Sequence, residues 1–368
     1  MTEELTVALC GGGTGGHVMP ALAVGEEILR QAPGTRLIFI GNRNSLEERL
    51  AKAASIDFYP VSIKPLRRGV ILPNLGVPFK AGLSVLEAFR ILKKNNAKMV
   101  FGSGGFSAWP ACAAARFGRV PYFLCDGNAY PGLVTRLLGR NAARIYATFE
   151  ITKTCFKKNA GNVILTGFPV SDSLGRLTKK EARISLGLNA ESMTILATGG
   201  SGGARTINRT LAEIKKTLLD KGYNLIWQTG KLWDSEKEAI AEMSSNSLVE
   251  KFLEPARMAA AIRAADLAVT RCGIMTLSEF AVAGLPAILV PFPHSAEGHQ
   301  EANAVAVQAA GGGVMIKDHE LTPKKLLQTI DELFTPLRLN SMAEGIRKFA
   351  KPDAANRIVR DMLETINA

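Results

Sequence analysis

LTVALCGGGTGGHVMPALAV, residues 5–24, is the stretch on which the fold turns. Leu5–Cys10 is apolar enough for a covered strand, empties at once into glycine, and gives way to a helical pattern opening near Ala21 with Pro20 close to its start. Strand, glycine turn and helix form the first step of a parallel α/β sheet. GxGxxG occurs at Gly11, Gly13 and Gly16, a turn that lets backbone approach a ligand closely and aims helix N–H groups at an anion. A dinucleotide site would also need an Asp or Glu about twenty residues on, at the end of the second strand. That strand ends LIFIGNRNSLEE, with Gly41 and Asn42 at the required place; Glu47 and Glu48 come too late, inside the next helix, and the nicotinamide reading weakens. His17 follows the last glycine. A histidine there suits a general base, because imidazole titrates near neutral pH, and equally suits a helix-start residue that bonds backbone or a ligand phosphate.

Outward from this stretch the pattern repeats. The apolar runs LTVALC (5–10), RLIFI (36–40), KMVFG (98–102), PYFLC (121–125), RIYAT (144–148) and NVILT (162–166) alternate with helix-period segments. Between Pro169 and Asn189 the chain turns polar, as a linker with one short helix would. A second series follows: MTILATGG (193–200), NLIWQTG (224–230), LVEKFL (248–253), DLAVTRC (266–272), PAILVPF (286–292) and GGVMI (312–316). At 368 residues the chain exceeds what one core usually supports. The expectation is an α/β protein of two Rossmann-like domains, 1–168 and 169–340, facing each other across a cleft. The polar helical stretch 341–368 is available to pack back on the first.

Composition bounds the function. Hydrophobic residues at 47% and charged residues at 21% describe a globular chain, and no window reaches the roughly 18–20 apolar residues of a spanning helix. Glu3 and Glu4 stand where a signal peptide carries lysines, so a cytoplasmic protein is expected. Cys10, Cys112, Cys125, Cys155 and Cys272 are scattered without CxxC, and His17, His294, His299 and His319 without a ligand pair, so neither disulfides nor a metal is expected. A net charge of +12 favours an acidic partner: nucleic acid, anionic lipid or a phosphorylated substrate. Aromatics at only 7%, not interleaved with the basic residues, set nucleic acid aside.

Two further glycine turns carry the chemistry. Gly199-Gly200-Ser201-Gly202-Gly203-Ala204-Arg205 offers N–H groups, the Ser201 hydroxyl and Arg205 to a diphosphate, and Gly102-Ser103-Gly104-Gly105-Phe106 follows KMVF in the first half. In TRCGIMTLSEFAVAGLPAILVPFPHSAEGHQEANA (270–304) a helix follows Gly273, with Met275 and Thr276 in its first turn and Glu279 one turn on. The helix N-terminus suits a phosphate, and the carboxylate suits vicinal ribose hydroxyls or is an ordinary solvated residue. His294, Glu297, Gln300 and Asn303 form a polar fringe at a strand end, the amides suited to sugar hydroxyls.

GGGTGGHVMPALAV, FGSGGFSAWPA, GNAYPGLVTRLLG, GGSGGARTIN and the LSEFAVAGLPAILVPFPHSAEGHQEANA block resemble, in order and spacing, the MurG family over nearly the whole chain. The resemblance implies a glycosyltransferase-B fold and inverting transfer of N-acetylglucosamine from UDP-GlcNAc to the C4 hydroxyl of lipid I, the undecaprenyl-diphosphate-linked N-acetylmuramoyl pentapeptide, giving lipid II. It implies no metal or other cofactor, an acceptor- and membrane-facing first domain, a UDP-sugar-binding second domain, and peripheral attachment to the inner face of the bacterial cell membrane. Carried over, Thr14, Gly15 and Gly16 match the loop that closes on the donor, His17 the histidine near the acceptor, and Asn128 the family asparagine. Ser201 looks like the diphosphate serine, Leu253 falls where backbone reads uracil, Glu279 resembles the ribose ligand, and Gln300 with Asn303 resembles the amide pair around the sugar. Departures are read at Phe106 for tyrosine, Cys125-Asp126-Gly127 within HEQN, Ser171 for arginine and Gly202 for glutamine, removing an acid, an amide, a cation and a phenol. Residues 62–80 mix cations with apolar residues in a loop that either sinks into an anionic bilayer or is buried. Another UDP-sugar transferase or epimerase, or a non-catalytic nucleotide-binding scaffold, stays open as an alternative.

Overall fold

The computed structural model describes residues 5–64, 77–128, 130–170, 177–231, 233, 246–295 and 298–367. The chain forms two compact units, Met1–Ser171 with Pro352–Ala368, and Asp172–Lys351.

The first unit is a parallel sheet of seven strands: β1 (Thr6–Cys10), β2 (Arg36–Asn42), β3 (Asp57–Val61), β4 (Met99–Gly102), β5 (Tyr122–Asp126), β6 (Arg144–Ala147) and β7 (Val163–Leu165), in the order β3-β2-β1-β4-β5-β6-β7. Every residue of β1, β4 and β5 is buried, which is why they read as unbroken apolar runs. The strand absent from the apolar-run reading, β3, contains Pro60 and is half-exposed, as an edge strand permits. Around the sheet lie α1 (Gly15–Gln31), α2 (Leu46–Ala53), α3 (Val77–Lys94), α4 (Trp109–Gly118) and α5 (Leu133–Leu138). Helix α1 begins at Gly15, earlier than the opening near Ala21, and holds Pro20 inside. The core joins Ala8, Ile38 and Val100 of the sheet to Ala111 and Ala115 of α4.

Helix Ala354–Asn367 belongs to this unit. It buries Ile358, Val359 and Met362, Asn356 Nδ2 donates to Glu27 Oε1 on α1 at 3.0 Å, and Tyr146 donates to Asp361 at 2.8 Å. The division falls at Ser171/Asp172 and Lys351/Pro352, not at 168/169 and 340/341. Helix Pro336–Arg347 stays whole in the second unit because Gly345 and Ile346 lie against Gly311 and Gly312.

The second unit is a parallel sheet of β8 (Thr194–Thr198), β9 (Asn224–Gln228), β10 (Ser247–Glu250), β11 (Leu267–Thr270), β12 (Ala287–Leu289) and β13 (Gly313–Met315), ordered β10-β9-β8-β11-β12-β13. The short helix of the polar stretch is α6 (Lys179–Ser185), started by a reciprocal Thr178–Glu181 cap and tied to the sheet by a buried Arg183–Asp266 ion pair at 2.6 Å. It is followed by α7 (Arg205–Asp220) and by helices Pro255–Ala264, Ile274–Ala283, His299–Ala309, Pro323–Leu333 and Pro336–Arg347. Trp227, Leu211 and Val269 lie in its core.

Both sheets run third, second, first, fourth, fifth, sixth from the same edge. The order reverses between β1 and β4, and again between β8 and β11, and at such a switch point the two following loops diverge and leave a crevice at the strands' carboxyl ends. All five cysteines are free thiols, four of them buried. Among the described residues, no helix is long and apolar enough to cross a membrane.

Candidate functional site

In the first unit, Cys10 of β1 pairs in register with Gly102 of β4, so the GGGTGGH loop and the GSGGF loop emerge side by side. They interlock. Ser103 donates through Oγ to the His17 carbonyl, and His17 Nδ1 lies 3.1 Å from the Ser103 carbonyl oxygen. A carbonyl cannot donate, so Nδ1 carries a proton, and in the neutral form of the ring the basic lone pair lies on Nε2. A side chain at Gly105 would overlap the Gly12 carbonyl, and one at Gly104 would stand 3.0 Å from His17 Nδ1, which is why this turn is glycine. Thr14 is the N-cap of α1 without a side-chain cap, leaving the N–H groups of Gly15 and Gly16 at an open helix start.

Two residues act here that the sequence reading missed. Glu47, 1% exposed, turns back from the first turn of α2, and its oxygens take the N–H of Gly13 at 3.5 Å and of Asn42 at 3.4 Å. Too late in sequence for the end of β2, it reaches that end in space, but as a brace under the glycine loop. Asp126 supplies the acid read as lost: it precedes Asn128 by two residues, as Glu does in HEQN, one methylene shorter. Its Oδ1 accepts from Asn128 N at 3.2 Å and Nδ2 at 3.1 Å, and its Oδ2 from Gly132 N at 2.7 Å. The signal for both is an acid beside a strand-end glycine turn. Phe106 packs its ring against Gly13. Ser171 and Glu297 lie outside the described residues.

In the second unit the loops after β8 and β11 meet in the same way, Thr198 pairing in register with Thr270. Gly200 turns left-handed, its N–H bonded to Thr198 Oγ1 at 3.2 Å. The Ser201 carbonyl accepts from Lys231 N at 3.1 Å. A side chain at Gly203 or Gly230 would overlap the backbone of the other's loop, so these two turns lie in direct main-chain contact. Among the described residues the Ser201 hydroxyl and the N–H groups of Ser201 and Gly202 have no partner. Arg205 is exposed in the first turn of α7. Leu253 is buried, its N–H taken by Gln228 Oε1 at 2.9 Å, with its carbonyl left over.

Helix Ile274–Ala283 starts at Gly273 with no side-chain cap, so the N–H groups at Met275 and Thr276 stand open. Thr276 is half-buried and Met275 buried. Glu279, half-buried, makes no hydrogen bond or ion pair within the described residues, and burial without compensation pushes its carboxyl up to about 8. Gln300 and Asn303 differ in burial and in the partners they hold. Gln300 Oε1 accepts from Cys272 N at 3.1 Å and Phe292 N at 3.0 Å, leaving Nε2 available. Asn303 is 2% exposed and donates through Nδ2 to the Cys272 carbonyl at 3.1 Å, so it braces the strand end, while its buried Oδ1 has no partner among the described residues. Exposed His294 stacks edge-on against Phe292 at 5.7 Å. Among the described residues no three His, Cys, Asp or Glu side chains gather as a metal site.

Residues 7–147 match the glycosyltransferase family 28 N-terminal domain and residues 194–358 its C-terminal domain. A protein of Desulfitobacterium hafniense (strain Y51), named UDP-N-acetylglucosamine–N-acetylmuramyl-(pentapeptide) pyrophosphoryl-undecaprenol N-acetylglucosamine transferase, is 37% identical over 98% of this chain and 99% of its own length. A Christiangramia forsetii protein of the same name is 35% identical over 100% and 99%. The crystal structure of Acinetobacter baumannii MurG superposes with a TM-score of 0.70 at 28% identity, covering 98% of this chain and 99% of that one.

Proposed function

The chain belongs to glycosyltransferase family 28, among the MurG transferases, and from that premise we propose that it moves N-acetylglucosamine from UDP-N-acetylglucosamine to the N-acetylmuramyl-(pentapeptide) pyrophosphoryl-undecaprenol acceptor, lipid I, forming lipid II. The observation that carries the reading is the second unit's switch point, where an open turn at Ser201 and Gly202 neighbours an uncapped helix start followed by an unpartnered carboxylate. The turn suits a diphosphate and Glu279 a ribose, whose two hydroxyls donate to one carboxylate. The Leu253 carbonyl suits the N3–H of uracil, and Gln300 Nε2 a sugar oxygen.

In this reading the acceptor hydroxyl attacks the anomeric carbon as UDP departs. His17, its Nδ1–H bonded to the Ser103 carbonyl, receives the proton on Nε2. N–H groups of the Ser201 turn and of the helix start at Met275 and Thr276 stabilise the charge that grows on the diphosphate. Asp126 holds the loop that carries Asn128.

A lipid-carried acceptor calls for a membrane surface. Residues 65–76 of the basic–apolar stretch lie outside the described residues, and Val77–Lys80 is helix, the start of α3. Along α3, Phe79, Leu83, Leu86 and Phe89 are exposed, Phe89 lies against Gly118, and Phe117 beside it is 75% exposed. Exposed Lys80, Arg90, Arg116 and Arg119 share these segments, a composition suited to the anionic inner face of the cell membrane. Serine at both Phe79 and Phe117 would then release the protein from phosphatidylglycerol vesicles, and undiminished cosedimentation would reject this face.

The activity is tested by transfer of radiolabelled sugar from UDP-GlcNAc to a short-chain lipid I analogue, beside UDP-GalNAc and UDP-glucose. Transfer from UDP-GlcNAc is expected, and no transfer from any of the three would overturn the reading.

A further inference from the structure

A buried primary amide must place two N–H groups and a carbonyl. Gln228, 2% exposed at the end of β9, places all of them on loops distant in sequence. Its Nε2 donates to Thr198 Oγ1 at 3.1 Å and to the Gly200 carbonyl at 3.1 Å, and its Oε1 accepts from Leu253 N at 2.9 Å. Thr198 Oγ1 also receives the Gly200 N–H, so both backbone polar groups of Gly200 are held. The sheet register makes this possible, because Gln228 lies opposite Thr198 on one side and Glu250 on the other.

We propose that Gln228, acting with Thr198, is a positioning residue for the nucleotide donor. It fixes the Gly200 turn so that Ser201 and Gly202 face the diphosphate, and fixes Leu253 so that its carbonyl faces the base. The inference rests on the donor reading above. Fixing both loops in advance lowers the ordering cost of binding, and one amide couples the two ends of the nucleotide.

The test measures UDP and uridine affinity for the full chain by competition against a fluorescent UDP analogue, in wild type, Thr198→Val and Gln228→Met. Thr198→Val frees only the Gly200 arm, so UDP should weaken about tenfold while uridine shifts less than about twofold. Gln228→Met frees both arms, so both ligands should weaken, each by about tenfold or more. A partly unfolded variant loses both affinities by the same factor, so the UDP-to-uridine ratio separates positioning from damage. Equal loss of both ligands in Thr198→Val, or intact UDP affinity in Gln228→Met, would overturn the proposal. If wild type itself binds no UDP, the donor reading fails first and takes this inference with it.

Discussion

The two switch points share one topology and differ in what they leave unspent. In the first unit the loops bond each other: Glu47 holds Gly13, Ser103 and His17 hold one another, and Asp126 holds the Asn128 loop. What this tightly braced corner presents is an imidazole of defined tautomer. In the second unit the bracing comes from below, through Gln228, Thr198 and Asn303, and the rim is left open: the Ser201 hydroxyl, the Met275 and Thr276 N–H groups and the Glu279 carboxyl. On the proposed reading, one fold thus yields a proton-handling corner and an anion- and hydroxyl-binding corner, according to which side chains end the strands.

The contrast breaks most sharply at His17. His17→Ala should lower turnover by about two to three orders of magnitude, as loss of a general base does, while UDP-GlcNAc affinity stays within about threefold. Steady-state kinetics beside equilibrium binding would check it, and equal losses in both would move His17 to the binding side of the comparison.

Glu279→Gln should do the reverse, weakening UDP-GlcNAc by about tenfold with little change at saturating donor. The pH dependence gives an independent check. Burial pushes the carboxyl up to about 8 from its ordinary value of 4.5, and only the ionised form accepts two ribose hydroxyls. Donor affinity should therefore rise with pH toward about 8 and then level off, a slope absent in Glu279→Gln by calorimetry. The sign for stability is opposite. Protonation favours the folded state, so this group's contribution is fully present below the ordinary carboxyl range and is lost as pH rises through about 8, which thermal melts of the two proteins would reveal.

Glu47→Gln keeps the shape of the brace and removes its charge. A fall of about fivefold in turnover is expected, with donor affinity unchanged, since charge-assisted bonds to backbone N–H are the stronger kind. An unchanged rate would mean the loop is held by packing alone. The smallest catalytic effect belongs to Asn303→Ala, which should cost about 1–2 kcal/mol of stability in denaturant titration while donor affinity moves less than about twofold. A large affinity loss without destabilisation would return Asn303 to the sugar site.

The glycine turns and the helix start at Gly273 were legible because their signals are local: a residue type and its immediate neighbours fix the backbone. The same holds for the buried strands, whose apolar runs outlast any context. Glu47, Asp126 and Gln228 were not legible as braces, since each is an ordinary polar residue until a loop from elsewhere in the chain arrives beside it. Gln300 and Asn303 show the limit from the other side. Both amides suit sugar chemistry, yet burial assigns one to the rim and the other to the frame.

By itself, then, the sequence determined the α/β class, two Rossmann-like units, the family, and where the glycine turns follow the strands, because strand burial and glycine conformations are written in neighbouring residues. Only the tertiary structure decided the partner of His17 Nδ1, the isolation of Glu279, the hydrogen bonds of Asp126 and the amide that joins two loops through Gln228. Those depend on which strands lie side by side, and strand order is set by long-range packing that no local pattern encodes.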